Sequence, residues 1–341
     1  MTQSSILLKA VLGIDISKSY FDVTLLKVVL KGKDTKTVQK RFDNTAIGFN
    51  ELKVWLKERG IKQVHACMES TGRYGDELAL WLHLQKHQVS VVNPAVIHAY
   101  AKVQLRRNKT DTLDADLIAR YCFSERPQLW TPPAQDILDL QALLKCLADL
   151  QTTRQQEANR LESIIPCPQA AAFVQQHIDF LDAQINTLNA TLKAHIKTTP
   201  VFASQIKLLI SIPGIGFLTA MRLIAFDLLR FHDANAAVAM AGLNPCENRS
   251  GSSVHRKSRL SKRGHADIRK ALYMPAITAI IHNPFIRDLA ARLTKNSMPP
   301  LSIIGAAMHK LIRQAFGVLK SNRPFDSSYS SRSSPRSLQN P

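Results

Sequence analysis

The sequence predicts an α/β amino-terminal domain built on a mixed sheet, then a long helical spacer and an α-helical carboxy-terminal domain. Three observations carry that prediction. Residues 7–130 alternate between β-branched runs and helical spacing, residues 136–198 hold apolar residues in heptads, and residues 202–320 turn helical again with a different texture.

Leu7 to Ile16 and Phe21 to Leu30 are rich in β-branched and apolar residues, and Ser17-Lys18-Ser19-Tyr20 between them suits a hairpin. Thr35 to Phe42 adds a third antiparallel strand. Ala46 to Arg59 has helical spacing through Phe49, Leu52, Trp55 and Leu56; Gln63 to Met68 is a short strand, Gly75 to Lys86 a helix and Val89 to Val92 another strand. Three antiparallel strands followed by β-α-β-α units indicate a mixed sheet covered on both faces. In this reading Asp22 faces solvent and Asp116 lies on the surface.

In the spacer, Leu140, Leu143, Leu147, Leu150, Leu161 and Ile164 follow one heptad seam, and Ile178, Leu181, Ile185, Leu188 and Leu192 follow another. Pro166-Cys167-Pro168 breaks the helix between them. Two long helices are expected, folding back as a hairpin or pairing with another subunit, in a coiled coil that drives oligomerisation. Arg154 and Glu157 occupy expected core positions of the first seam and weaken it. From Phe202 onward come a Pro-Gly turn, a serine- and cation-rich segment, and apolar helices around Ala271 to Ile281 and Leu301 to Leu319. Residues 321–341 are polar and of low complexity, and are expected to be disordered.

The 45 Lys and Arg against 26 Asp and Glu give a formal charge of +19, which suits a polyanionic partner, and nucleic acid is the default. A membrane-spanning role is excluded by the lack of any run of about 18 apolar residues. No basic leader opens the chain, so a cytoplasmic protein is expected. The 5 cysteines are scattered, with no Cys-x-x-Cys pair, and are read as buried, reduced thiols.

Four carboxylates stand out: Asp15 inside Val11-Leu12-Gly13-Ile14-Asp15-Ile16, Glu69 ending Val64-His65-Ala66-Cys67-Met68-Glu69, and Asp111 with Asp114. An ionised carboxylate in a buried strand costs several kcal/mol, on the order of the loss of several hydrogen bonds, unless it is paired or binds a cation. Hard oxygen ligands from separate elements suit Mg²⁺ or Mn²⁺, which leaves coordination positions for phosphate and water. Asp111 and Asp114, three apart, share one face if a helix begins there. The same Asp-x-x-Asp also serves as a helix cap with a first-turn acid. A buried strand Asp, a strand-end Glu and a helix pair after three antiparallel strands resemble the order of an RNase H-like nuclease.

Between Arg249 and Lys270 there are eight Lys or Arg, among them Arg249, Arg256, Lys257, Arg259, Lys262 and Arg263, against one acid, Asp267. Such a loop grips phosphates. The segment Asn248 to Gly264 also holds five serines, and a serine flanked by cations can attack phosphorus. Residue type alone does not choose among Ser250, Ser252, Ser253, Ser258 and Ser261. Ile212-Pro213-Gly214-Ile215-Gly216 resembles a helix-hairpin-helix turn, in which Gly214 and Gly216 let backbone amides approach a phosphate; a plain helix-helix connection has the same pattern.

These motifs coincide in order. Gly13-Ile14-Asp15-Ile16-Ser17-Lys18, Met68-Glu69-Ser70-Thr71-Gly72, Lys109-Thr110-Asp111-Thr112-Leu113-Asp114-Ala115, Pro213-Gly214-Ile215-Gly216, Gly242-Leu243-Asn244-Pro245, Ser250-Gly251 and Ser261-Lys262-Arg263-Gly264 resemble the DEDD transposases of bacterial insertion sequences and the related Piv-type pilin-gene invertases. The resemblance runs from about residue 10 to 320 and implies a RuvC-like domain (7–130), a coiled-coil spacer (136–198) and a transposase domain (202–320). It implies that Asp15, Glu69, Asp111 and Asp114 bind metal and that Ser250 is the nucleophile. It further implies a covalent phosphoserine link, a composite centre across subunits of a homo-oligomer on double-stranded DNA and, in some members, a non-coding guide RNA.

The expectation is therefore a site-specific DNA recombinase, bacterial and nucleoid-associated. The nearest rival is a hydrolytic RuvC-like junction endonuclease, in which metal-activated water attacks and Ser250 only binds phosphate. An actin-like sugar kinase or ATPase shares Gly13 to Lys18, but it needs a later Asp-x-Gly loop, and no Asp here is followed two residues on by Gly.

Overall fold

The structure is a computed structural model that describes residues 10–27, 36–70, 74–104, 111–163, 167–250 and 254–328, and the chain divides into two compact units at residues 133/134. The first unit runs β1 (Ala10–Ile16), β2 (Tyr20–Lys27), β3 (Lys36–Asp43), α1 (Ala46–Glu58), β4 (His65–Glu69), α2 (Asp76–Leu84), β5 (Gln88–Val92), α3 (Pro94–Val103) and α4 (Asp111–Glu125). Its five strands lie in the order β3-β2-β1-β4-β5; the first three are antiparallel and β1, β4 and β5 are parallel. The expected mixed sheet is present.

Alternation decides which element covers which face. Leu12 and Ile14 of β1 with Phe21, Val23 and Leu25 of β2 meet Phe49, Leu52, Trp55 and Leu56 of α1 and Leu78 and Leu82 of α2. Burying each such side chain contributes roughly 1.5–3 kcal/mol. The opposite face, with Val11, Leu26, Cys67 and Val92, packs against Ile97 of α3 and Ile118, Ala119 and Cys122 of α4. Gly13 lies on this second face, and a β-carbon there would collide with the backbone of Ala115 and Ala119. The missing side chain lets α4 lie directly on β1.

The second unit runs α5 (Gln135–Ser163), α6 (Pro168–Thr198), α7 (Pro200–Ile210), α8 (Phe217–Ala225), α9 (Ala234–Met240), β6 (Pro245–Ser250), β7 (Val254–Leu260), α10 (Ala266–His282), α11 (Pro284–Lys295) and α12 (Pro300–Ser321). The two long helices fold back as an antiparallel hairpin. Arg154 donates to Asp182 at 3.0 Å, Glu157 faces His177 at 3.5 Å, and His195 reaches the carbonyl of Asp136 at 3.2 Å. Leu140, Leu144 and Leu147 with Leu192 and Ile196 merge into the core of the unit. Glu157 is buried, as its seam position requires, with Arg160 at 3.1 Å.

Several expectations change. Asp22 is not solvent-facing: it is 4% exposed under the face that α4 covers. Asp116 is buried as well, against Arg120 at 2.9 Å. Of the cysteines only Cys67 and Cys122 are buried; Cys146, Cys167 and Cys246 are exposed. The basic segment is a two-stranded antiparallel ribbon, β6–β7, inside the otherwise helical unit. Phe325, in the tail expected to be disordered, donates its amide to Ser211 Oγ at 2.8 Å and packs on Phe285. Residues 7–9 and 28–35, Pro166, Ser252 and Ser253, and the tail from 329 lie outside the described residues.

Candidate active site

The carboxylates are brought to one edge of the sheet by register. Gly13 pairs with Cys67 and Ile14 with Met68 in the parallel β1–β4 ladder, so Asp15 and Glu69 follow side by side at the strand ends. Both stand on the face of Gly13 and Cys67, beneath α4, and both are half-buried. The orientation of α4 completes the arrangement. Cys122 Sγ lies 3.9 Å from the carbonyl of His65 at the start of β4, and Ala115 and Ala119 lie over Gly13. The helix therefore runs antiparallel to β1 and β4. Its first turn, with Asp111 as its first residue and Asp114 half-buried, reaches the ends where Asp15 and Glu69 stand. The side chain of Asp111 is outside the described residues. Among the described residues no three His, Cys, Asp or Glu converge closely enough to hold a metal ion. A site of four all-oxygen donors, with Asp111 included, has the chemistry that Mg²⁺ or Mn²⁺ takes.

Sequence reasoning missed two residues of this edge. Asp22 pairs directly with Asp15 across β1–β2, and Arg41 pairs directly with Asp22 across β2–β3. Arg41 Nε and Nη2 donate to the two carboxylate oxygens of Asp22 at 3.0 and 2.7 Å, and its guanidinium stacks on Tyr20 at 3.9 Å. One rung of the three antiparallel strands thus reads Arg41, Asp22, Asp15. The signal was in β2 itself: Asp22 alternates with Phe21 and Val23, which defines a second face but says nothing of what covers it. Deeper on the same face, His65 Nε2 meets Ser90 Oγ at 2.8 Å while its Nδ1 is buried without a hydrogen bond, and burial pushes the imidazole pKa down. A hydrogen bond with Cys67, reinforced by burial, pushes the Cys122 thiol up, which keeps it protonated.

In the second unit Ser250 is the last residue of β6, paired with Val254; Arg249 pairs with His255 and Asn248 with Arg256, and Lys257 follows along β7. A bulge interrupts the ladder between Cys246 and Asn248. The foot of the ribbon is fastened by backbone bonds from Ser261 to Asn244 at 2.8 Å, Lys262 to Gly242 at 3.0 Å and His265 to Met240 at 2.9 Å. Arg269 adds a bond to the carbonyl of Ala241 at 3.0 Å. The motifs Gly242 to Pro245 and Ser261 to Gly264 are thus two sides of one clasp. Arg259, Lys262 and Arg263 are exposed beside it.

Gly214 and Gly216 occupy the connection between α7 and α8. Gly214 has φ +103°, and a β-carbon would strike the carbonyl of Pro275 in α10, so its need is for the turn and for helix packing. Gly216, extended at the N-terminus of α8, has open space before it. Among the described residues no helix is long and apolar enough to cross a membrane.

The chain joins a mixed α/β unit, with acids at one strand edge, to a helical unit with a basic ribbon, and comparison with known proteins identifies its class as that of a DNA transposase. Residues 12–166 match the model of a DEDD transposase family, and residues 206–291 match the transposase IS116/IS110/IS902 family. The pilin gene-inverting protein of Moraxella bovis is 34% identical over 324 residues, covering 93% of this chain and 98% of that protein. Its counterpart in Moraxella lacunata is equally similar, 34% identical over the same span. The chain belongs to this family of IS110-type transposases and pilin-gene invertases. Its activity is that of a DNA transposase or recombinase.

Proposed function

We propose that the chain cleaves and rejoins DNA at specific sites by serine attack on a phosphodiester held at a carboxylate tetrad. The observation that carries this reading is the register that sets Asp15 beside Glu69 under the first turn of α4, where Asp111 and Asp114 lie. On this reading the first unit is RNase H-like, of the RuvC type, and Asp15, Glu69, Asp111 and Asp114 hold Mg²⁺ or Mn²⁺. A bound divalent cation supplies positive charge to the scissile phosphate and orients it for displacement. Ser250 then gives up its hydroxyl proton and forms the O–P bond as the P–O3′ bond breaks, and the leaving 3′-oxygen takes a proton. Reversal of that step on a new 3′-hydroxyl rejoins the strands.

The remaining parts have roles in the same scheme. Arg249, Arg256, Lys257, Arg259, Lys262 and Arg263, with the amides of the Gly214 to Gly216 turn, bind the phosphate backbone, and the net charge of +19 draws DNA in. The α5–α6 hairpin acts as a coiled coil that joins copies into a homo-oligomer, and a non-coding guide RNA selects the sites. The protein works in the cytoplasm on nucleoid DNA.

The test is a cellular recombination assay with the native flanking DNA, comparing wild type with Ser250→Ala and Asp114→Ala and mapping any protein-DNA adduct by mass. An adduct on Ser250 that disappears with recombination in Ser250→Ala supports serine exchange. Recombination that survives Ser250→Ala refutes it and favours metal-activated water. Asp114→Ala should abolish chemistry and leave DNA binding largely intact; retained recombination would remove the tetrad assignment.

A further inference from the structure

We infer that the first unit carries a second DNA-binding surface. A lysine platform at the end of the sheet opposite Asp15 and Glu69 grips the backbone of duplex DNA away from the cut. The inference goes beyond the serine and carboxylate reading and needs only that the chain acts on DNA.

Topology places the platform. β1, β4 and β5 are parallel, so Asp15 and Glu69 stand at the end where their strands finish, and the connections leading into β4 and β5 lie at the other end. The turn from α1 to β4 and the turn from α2 to β5 are laced together there. Gln63 Nε2 donates to the carbonyl of Lys86 at 2.8 Å, the amide of Gln88 to the carbonyl of Val64 at 3.0 Å, and the amide of Val64 to His87 Nδ1 at 3.4 Å. Lys27, the last residue of β2, donates its Nζ to the carbonyl of Arg59 at 2.9 Å. The charge of Lys53 reaches His87 and adds to burial in lowering the pKa of that imidazole. Lys57 follows Lys53 one helical turn on, about 5–6 Å away between β-carbons. The two connections thus form one surface, and Lys53, Lys57, Lys62 and Lys86 are all exposed on it.

Charge is segregated along this unit. From Leu52 to Val64 and from Gln85 to Gln88 there are four lysines and Arg59 but one acid, Glu58, which lies 3.6 Å from Arg59. The acids bordering α1 and α2 fall at the other end: Asp43 closes β3, and Asp76 and Glu77 open α2 just after Tyr74, whose carbonyl accepts from Asn44 at 3.0 Å. A face that serves solubility alone mixes both signs.

The backbone supplies a second observation. Lys86 has φ 66°, left-handed, just past the end of α2, and the corresponding place after α1 holds Gly60 with φ 68°. Glycine adopts this conformation without strain and lysine does not, so a lysine kept there points to a side chain that the surface uses. Arg59, stacked on Trp55 at 4.2 Å and bonded to its carbonyl at 3.0 Å, stiffens the other turn. Cations fixed on such an edge suit a duplex, which presents one charge about every 1.7 Å of its axis. The strands between the two ends, 5 and 7 residues long, span roughly 20 Å, so the gripped segment is not the one being cut.

The test follows duplex DNA binding to the purified full chain by fluorescence anisotropy, in a chelator and over about 50–300 mM salt. Wild type is compared with a platform variant (Lys53→Gln, Lys57→Gln, Lys62→Gln and Lys86→Gln) and with a control that loses the same charge elsewhere (Lys102→Gln, Lys193→Gln, Lys197→Gln and Lys295→Gln). The platform variant should flatten the slope of log affinity against log salt by about two to four and lose at least about tenfold in affinity near 100 mM salt. The loss should be equal on native flanking DNA and on a scrambled duplex. The control should stay within about threefold of wild type, because salt screens charges remote from the DNA. In the wild-type chain, bound duplex should also protect Lys53, Lys57, Lys62 and Lys86 from chemical acetylation several-fold, read by mass mapping.

An unchanged slope in the platform variant, an equal loss in the control, or acetylation that DNA leaves unaltered overturns the inference. So does a loss seen with duplex RNA and not with DNA. Neither metal nor a covalent step enters this measurement, so the platform and the serine reading fail separately.

Discussion

The backbone carbonyl of Ala115 occupies the space that a β-carbon on Gly13 would fill. The contact sets how closely α4 approaches β1, and through it the height of Asp114 above Asp15. Gly13→Ala should lower the stability of the first unit by about 1–3 kcal/mol, the usual cost of forcing atoms into a packed interface. All three tryptophans, Trp55, Trp81 and Trp130, lie in that unit, so their fluorescence during urea unfolding of the full chain reports the change. DNA cleavage should fall further than stability explains, because the helix carrying the acids is displaced.

His65 predicts an acid-sensitive core. Burial depresses its pKa from 6.5, so the folded chain keeps it neutral while the unfolded chain protonates it. The unfolded state binds the extra proton below pH 6.5, and stability therefore falls as pH drops from about 6.5 towards the folded pKa. Above that pH its contribution is constant. His65→Gln should give a shallower loss of urea midpoint between pH 7 and 5 than wild type. His87, also depressed by burial and by Lys53, remains in both proteins and cancels in the comparison.

The hairpin holds a test of buried charge. Glu157 is buried between Arg160 and His177, and its Oε2 lacks a well-formed hydrogen bond despite Arg160 at 3.1 Å. Replacing such a group with an apolar one is commonly neutral or stabilising, so Glu157→Leu should leave the melting temperature unchanged or higher. Arg160→Ala should lower stability by about 1 kcal/mol, since Arg160 itself is solvent-screened. Calorimetry of the two variants distinguishes a stabilising pair from one that fixes helix register.

The ribbon's cations predict a salt effect. Removing Arg259, Lys262 and Arg263 together should weaken DNA binding uniformly across sequences. It should also reduce the slope of log affinity against log salt by about one for each phosphate left without its cation. Affinity measured from 50 to 300 mM salt, roughly the range over which counterion release is visible, checks this. An unchanged slope would place these residues away from the backbone of the DNA.

What the chain discloses without its structure follows from which physics is local. Strand alternation and heptad spacing are local, and they located the sheet, the two long helices and the strand positions of Asp15 and Glu69. Coverage of a face is not local. Asp22 sits one residue from Phe21, yet it lies on the face that α4, far along the chain, covers, and it is paired by Arg41 through the register of β3 on β2. Asp116 misled in the same way, because its burial depends on how α4 is rotated against the sheet. The ribbon β6–β7 was hidden for a different reason: its serines and cations have no apolar alternation, and its strands are held at their foot by bonds to Met240, Gly242 and Asn244. The helix α3 was missed although Asn93 caps it and Pro94 opens it, a local signal that could have been read.

The clasp at the foot of β6–β7 makes the ribbon a lever. Its described fastenings, including Leu260 packed against Gly305 of α12, are all at the end of Pro245 and Leu260, while Ser250 is carried at the other end of a strand of 6 residues. The irregular step between Cys246 and Asn248 lies close to the fulcrum, where strands bend and twist most readily. A change of about 10° there swings Ser250 by roughly 2 Å, given the rise of about 3.3 Å per residue. The place of Ser250 at the far end of the strand is therefore governed by leverage from the irregular step between Cys246 and Asn248.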